Sequence, residues 1–186
     1  MKELVICKSC GYVMARGALR DKCPACGVAA KMFEPYTDRM SPSRRRILVL
    51  DLHPILVHFV QAFAFSIPLL CLAALVHVPR VQVLILSTIT VLGVALPAVV
   101  LGSFLAGMLD GKIRFRRVTT PLLKRKMLFG LALLLLSCQI LTLILLGDLT
   151  DTAVITGLLA LSAAAAGCSA YLGVLGVRLL NSAFPG

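Results

Sequence analysis

Four long apolar runs constrain this chain more than anything else in it. Crossing a hydrocarbon core takes about 20 apolar residues, and stretches of that kind lie near Ile55–Val76, Val81–Met108, Met127–Leu146 and Ala153–Leu180. The second and fourth exceed the requirement, which predicts tilt or an interfacial extension. Pro68 and Pro97 fall inside the first and second runs; in a membrane bundle such prolines kink a helix rather than end it. A mean hydropathy of +0.96 over 186 residues places the chain outside the soluble globular class. The first run lies far from Met1, which argues against a cleaved signal peptide.

The remaining polarity is concentrated at one end. Residues 1–46 hold ten of the nineteen Lys/Arg and four of the eight Asp/Glu. Two solvents are implied, water for the head and lipid for the body. Arg39, Arg44, Arg45 and Arg46 precede the first run, and Lys112, Arg114, Arg116, Arg117, Lys124, Arg125 and Lys126 lie between the second and third. The opposite loops carry Arg80, Asp148 and Asp151, and Arg178 follows near the end of the fourth run. The positive-inside rule then puts both termini in the cytoplasm of a multi-pass protein of the cell inner membrane. The net charge of +11 is accounted for by these clusters, which set topology and touch anionic head groups. A nucleic-acid partner is therefore not expected, and the lipid bilayer is.

The chemistry of the head lies in Cys7-Lys-Ser-Cys10-Gly11 and Cys23-Pro-Ala-Cys26-Gly27, two C-x2-C pairs separated by twelve residues. Two residues between cysteines let both thiolates reach one ion from a tight turn. The glycine after each pair permits a positive φ, so backbone N–H groups can point at sulfur. Two such knuckles supply a tetrahedral shell of four thiolates suited to zinc or to a single iron. A short hairpin is expected between them, with Tyr12–Met14 turning near Gly17 and returning to Lys22. Disulfides are disfavoured by a cytosolic location. A head this small folds poorly without a metal.

The run Val5-Ile6-Cys7-Lys8-Ser9-Cys10-Gly11-Tyr12-Val13, followed by Cys23-Pro24-Ala25-Cys26-Gly27 and Phe33-Glu34, resembles the short rubredoxin-type domain at the C-terminus of rubrerythrins. The resemblance spans about residues 4–36. It implies that Cys7, Cys10, Cys23 and Cys26 ligate one iron that cycles between ferric and ferrous states. It also implies that Tyr12 and Phe33 pack beside the site. A zinc ribbon with a structural or docking role carries the same cysteines, so iron and zinc both stay open at this point.

In the body, Leu52-His53-Pro54-Ile55-Leu56-Val57-His58-Phe59 resembles the start of a bacterial four-helix membrane family of uncharacterised function, whose first helix begins His-Pro-x-x-Val-His-Phe-Pro. Gly107-Met-Leu-Asp110-Gly111 and the basic linker that follows fit the same layout over about residues 50–180. His53 and His58 are candidate cofactor contacts, for haem or quinone. At about 100° per residue they lie roughly 140° apart around a helix and cannot clamp one iron together. His77 lies about 29 Å beyond His58, so a second haem ligand would come from a dimer or from Met108 or Met127. The alternative is that both histidines bond to head groups, Asp110 or backbone. Gly102, Ser103, Ala106, Gly107 and Gly111, with Gly157, Ala160, Ala163–Ala166, Gly167, Ser169, Ala170, Gly173 and Gly176, are small residues that let helices approach closely. They serve a bundle or a homo-oligomer. Cys71, Cys138 and Cys168 read as packing residues.

The expected architecture is an all-α bundle of four transmembrane helices (51–186), a basic linker (37–50) and a β-hairpin metal-knuckle module resembling rubredoxin (1–36). The expected function is single-electron transfer by one iron at the cytoplasmic face, with a cytosolic redox protein as partner and no substrate of its own. The alternative is a structural zinc head on a membrane scaffold.

Overall fold

The computed structural model describes residues 3–37, 41–77, 79–115 and 121–179. It contains two compact units, an N-terminal one that includes Met1–Arg45 and a helical one of Arg46–Gly176. Arg39, Arg116, Arg117 and the last residues of the chain lie outside the described residues.

The N-terminal unit is a three-stranded antiparallel sheet of β1 (Leu4–Cys7), β2 (Val13–Ala15) and β3 (Phe33–Tyr36), in the order β2-β1-β3. Val5 sits opposite both Met14 and Pro35. Strand β1 takes the centre because it holds the buried side chains of the sheet, with Val5 and Cys7 buried and Leu4 and Ile6 half-buried, whereas neither edge strand buries a residue fully. Pro35 has no N–H to give, and it falls on an edge strand, where one free side needs no donor. The expected hairpin is corrected in its partner. Val13–Ala15 pairs back onto β1, Arg16–Ala18 forms a 3-10 turn, and Lys22 makes only an isolated bridge with Ala29. The segment Leu19-Arg20-Asp21-Lys22 has one apolar side chain and therefore no face to bury, whereas β1 offers an apolar strand to both neighbours.

The helices are α1 (Pro42–Leu48), whose last three residues begin the helical unit, α2 (Leu52–Val76), α3 (Gln82–Phe115), α4 (Pro121–Leu146) and α5 (Thr152–Leu179). Four segments, Arg45–Val76, Gln82–Ile113, Pro121–Leu146 and Thr152–Val177, are long and apolar enough to cross a membrane. Both Pro68 and Pro97 lie within continuous helices. The chain breaks between α1 and α2 at Asp51, which adopts the left-handed conformation (φ 46°). Helix α2 then restarts with the Ile55 amide on the Asp51 carbonyl at 3.1 Å. Pro54 falls in that first turn, where a missing N–H costs nothing.

Helix ends differ from the apolar runs. Helix α3 continues past Met108 to Phe115, and α4 begins at Pro121 rather than Met127. Hydropathy marks where hydrocarbon stops, while backbone hydrogen bonding carries the helix on into the charged interface. At about 1.5 Å per residue, α3 is about 51 Å long against a hydrocarbon core of about 30 Å. Lys112 and Lys124–Lys126 are consequently helical.

The buried positions repeat with spacings of four and three. They are Val60, Ala64, Ile67, Cys71 and Ala74 on α2, and Gly130, Leu133, Ser137, Ile140 and Ile144 on α4. Ile89, Gly93, Leu96, Val100 and Ser103 on α3, and Ile155, Leu158, Ser162, Ala165 and Ser169 on α5, follow the same rule. This is the seam of a left-handed helical bundle. Helix α3 packs between α2 and α4. Helix α5 closes the ring, with Cys168 Sγ 3.3 Å from the Phe129 carbonyl of α4 and Gly173 beside Gln61 of α2. Long leucines such as Leu69, Leu84, Leu128 and Leu135 point outward.

Candidate metal centre

The two cysteine pairs fold into matching turns. In the first, the Cys7 amide donates to the Tyr12 carbonyl (2.9 Å) and the Gly11 amide to the Cys7 carbonyl (2.8 Å). In the second, the Cys23 amide donates to Val28 (2.8 Å) and the Gly27 amide to Cys23 (2.9 Å). Each turn closes on a glycine at positive φ, +73° at Gly11 and +77° at Gly27. Side chains at these φ values cross Cβ with the carbonyl, which is why glycine occupies both positions. The turned backbone aims donors at sulfur, from Tyr12 at Cys10 and from Ala25 and Cys26 at Cys23.

The four Sγ atoms lie within 4.8 Å of one another. Cys7 to Cys26 and Cys10 to Cys23 are each 3.8 Å, and all four cysteines are free. A disulfide needs about 2.05 Å. A regular tetrahedron with metal–sulfur bonds of about 2.3 Å has edges of about 3.8 Å. The donor set therefore fits one tetrahedral ion, and four thiolates suit iron or zinc. Cys7 and Cys23 are buried at 1% and 3% exposure, Cys10 is half-buried and Cys26 exposed. One edge of the sulfur tetrahedron thus faces the core and the opposite one faces water. Phe33 stands opposite Cys7 across the β1–β3 pair, and Tyr12 is largely exposed.

Without an ion, four clustered thiols divide their protons unequally. The Tyr12 N–H favours the Cys10 thiolate, but partial burial and the Cys26, Cys7 and Cys23 sulfurs outweigh it and push Cys10 up to about 12. At Cys23 burial opposes ionisation, while the Cys26 and Ala25 amides and the Cys26 and Cys10 thiols overcome it and bring the group down to about 7. The site is one coupled donor set, not four independent thiols.

The body's histidines stand in different surroundings. His53, half-buried at the start of α2, has Nδ1 3.1 Å from the Ser103 carbonyl of α3 and Nε2 3.2 Å from Lys126 Nζ of α4. Asp110 and Asp51 line the same groove as His53. His58 is exposed, and its Nδ1 donates to the Pro54 carbonyl one turn back at 2.6 Å. His77 is exposed at the other end of α2, as its left-handed cap. A haem or quinone contact at His53 would require the ring to surrender one of these protein partners. Lys126, 73 positions from His53, carries no local mark of that contact in the sequence. The only sequence signal was its place at the head of the third apolar run.

Residues 6–34 match the family model described as "Rubrerythrin, rubredoxin-like domain". That match covers the cysteine module and shows the resemblance of this part of the chain. No curated protein and no solved structure gives a significant match. The resemblance of the body rests on its own motif.

Proposed function

We propose that this protein is a membrane-anchored one-electron carrier whose N-terminal module holds a single iron through Cys7, Cys10, Cys23 and Cys26. The observation that supports this most is the pair of 3.8 Å sulfur–sulfur edges within a segment that matches a rubredoxin-like domain. Iron in a four-thiolate shell supplies a one-electron couple. The chain's part is to position and tune. Its Tyr12, Ala25 and Cys26 amides donate to Cys10 and Cys23, which disperses thiolate charge and holds the sulfurs in place. Exposed Cys26 brings the ligand shell to the surface, within reach of a redox partner.

In this reading both termini face the cytoplasm, because the positive charges flank the helix ends on that side. A cytosolic acidic redox protein is the partner, steered by the basic head. A second reading is favoured by Arg16, Arg20 and Lys22, which make the segment between the knuckles basic: a zinc head that docks a membrane complex and moves no electrons. Metal analysis with a visible spectrum of untagged, anaerobically purified protein separates the two. One iron per chain, with a thiolate-to-iron absorption band bleached by dithionite, is the expected result. One zinc per chain and a colourless protein would overturn the electron-carrier reading.

A further inference from the structure

At the end of the bundle that carries Lys112 and Lys124–Lys126, three helices converge on the imidazole of His53. Its Nδ1 faces the Ser103 carbonyl (3.1 Å), an acceptor that can be answered only by N–H. Its Nε2 faces the Lys126 ammonium (3.2 Å), a donor that can be answered only by a lone pair. The two contacts together define the ring as neutral, with its proton on Nδ1. The ring lies against Gly107 of α3, where an added Cβ would stand 2.8 Å from His53 Cε1, so glycine there makes room for the imidazole. Lys126 Nζ in turn reaches α5, 3.9 Å from where a Cβ on Gly176 would lie.

We infer that His53 is a proton-sensitive clamp, which when neutral holds Lys126 of α4 against the first turn of α2 and when protonated at Nε2 releases it. An imidazolium N–H facing an ammonium at 3.2 Å sets donor against donor, and two like charges repel. The Nδ1–H bond to Ser103 survives protonation, so the ring stays and the lysine leaves. Among the described residues, Asp51 from the turn before α2, Asp110 from α3 and Lys126 from α4 border the ring, and Lys112, Lys124 and Arg125 add positive charge at the same end. Asp51 and Asp110 border the groove beside the ring and favour the charged imidazole, opposing Lys126. The clamp is set by that balance, and its release loosens α4 from α2 and α5 at the interface end.

The test uses the full chain in lipid nanodiscs with 15N-labelled histidine. Near pH 8, His53 is expected as the neutral tautomer protonated at Nδ1. The Lys126→Met variant should change the His53 signals and leave those of His58 and His77 alone. On acidification from about pH 8 to about pH 5, across the ordinary imidazole range, amides in residues 52–56 and 123–127 should exchange roughly tenfold faster than intrinsic rates account for, the loss of one charge-assisted hydrogen bond. His53→Gln, which keeps an N–H and a carbonyl but cannot titrate, should abolish that pH step. An Nε2–H tautomer or an imidazolium near pH 8 in the unaltered protein would overturn the inference, whatever the variants do. So would an undiminished pH step in His53→Gln.

Discussion

Gly11 and Gly27 hold their φ at +73° and +77° with nothing within 4 Å of an added Cβ, so any cost of substitution there is backbone conformation and not collision. Gly11→Ala and Gly27→Ala should each weaken the metal-loaded head by about 1–2 kcal/mol, read as lower affinity in competition with a chelator. Gly17, equally open but without a positive φ, is the control. Gly17→Ala should leave affinity within about twofold, since surface changes away from special features are small. Acid should release the metal. Cys10 is pushed up to about 12 and Cys23 lowered to about 7, so metal binding displaces the Cys10 proton at any pH below the former value. The Cys23 proton is displaced only below the latter. Proton release on binding therefore grows, and affinity falls, as pH drops through that lower value. Calorimetry in buffers of different ionisation enthalpy measures both. The cysteines, both glycines and the common ion were legible in the residue order, because ligand spacing within a turn is a local property. The sharing of protons among thiols from two separate turns was not.

At the scale of elements, the caps and close approaches carry the testable content. The Asp151 side chain accepts from the Ala153 amide at 2.9 Å, capping α5. Asp151→Ala should cost about 1 kcal/mol, seen as faster amide exchange over the first turn of α5. Asp148 is different: the Thr150 amide and hydroxyl both bond its Oδ1 (2.8 and 2.7 Å), which lowers its pKa and orders the loop rather than a helix. Between α3 and α4, a Cβ on Gly130 would stand 2.7 Å from the Phe104 ring. Gly130→Ala should destabilise the bundle by about 1–3 kcal/mol through overpacking. Adding Phe104→Leu should recover part of that loss, and a double-mutant cycle in denaturant unfolding gives the coupling. The four apolar runs were readable as helices. Their inward faces were obscured, because a lipid-facing leucine is as apolar as a buried one. What marks the seam is small size and slight polarity: Ala64 and Cys71 on α2, Gly130 and Ser137 on α4, and Ser162 and Ser169 on α5 are each seven residues apart. Part of the small-residue stripe of α5 points elsewhere, since Ala160, Ala163, Ala164, Gly167 and Ala170 are exposed.

As a whole molecule, the chain joins two compact units with different reasons to fold. The sheet of the head has few buried apolar side chains, chiefly Val5 with the sulfurs of Cys7 and Cys23, and so small a core is expected to need an ion on its four thiolates. The bundle has a continuous core through all four long helices. Chelation should therefore speed amide exchange in residues 4–7, 13–15 and 33–36 by orders of magnitude while leaving the core positions of α2–α5 protected. Equal loss of protection in both units would contradict their independence. Residue order alone settles that four helices can cross a membrane and that four cysteines can share an ion. Hydropathy and turn spacing are short-range, and each run or knuckle declares itself without its neighbours. Only the folded bundle decides that His53 rests on Gly107, bonds Ser103 and accepts Lys126 from a helix 73 positions away in sequence. That meeting depends on the rotation of each helix about its axis, which packing between small side chains sets and apolar composition does not encode.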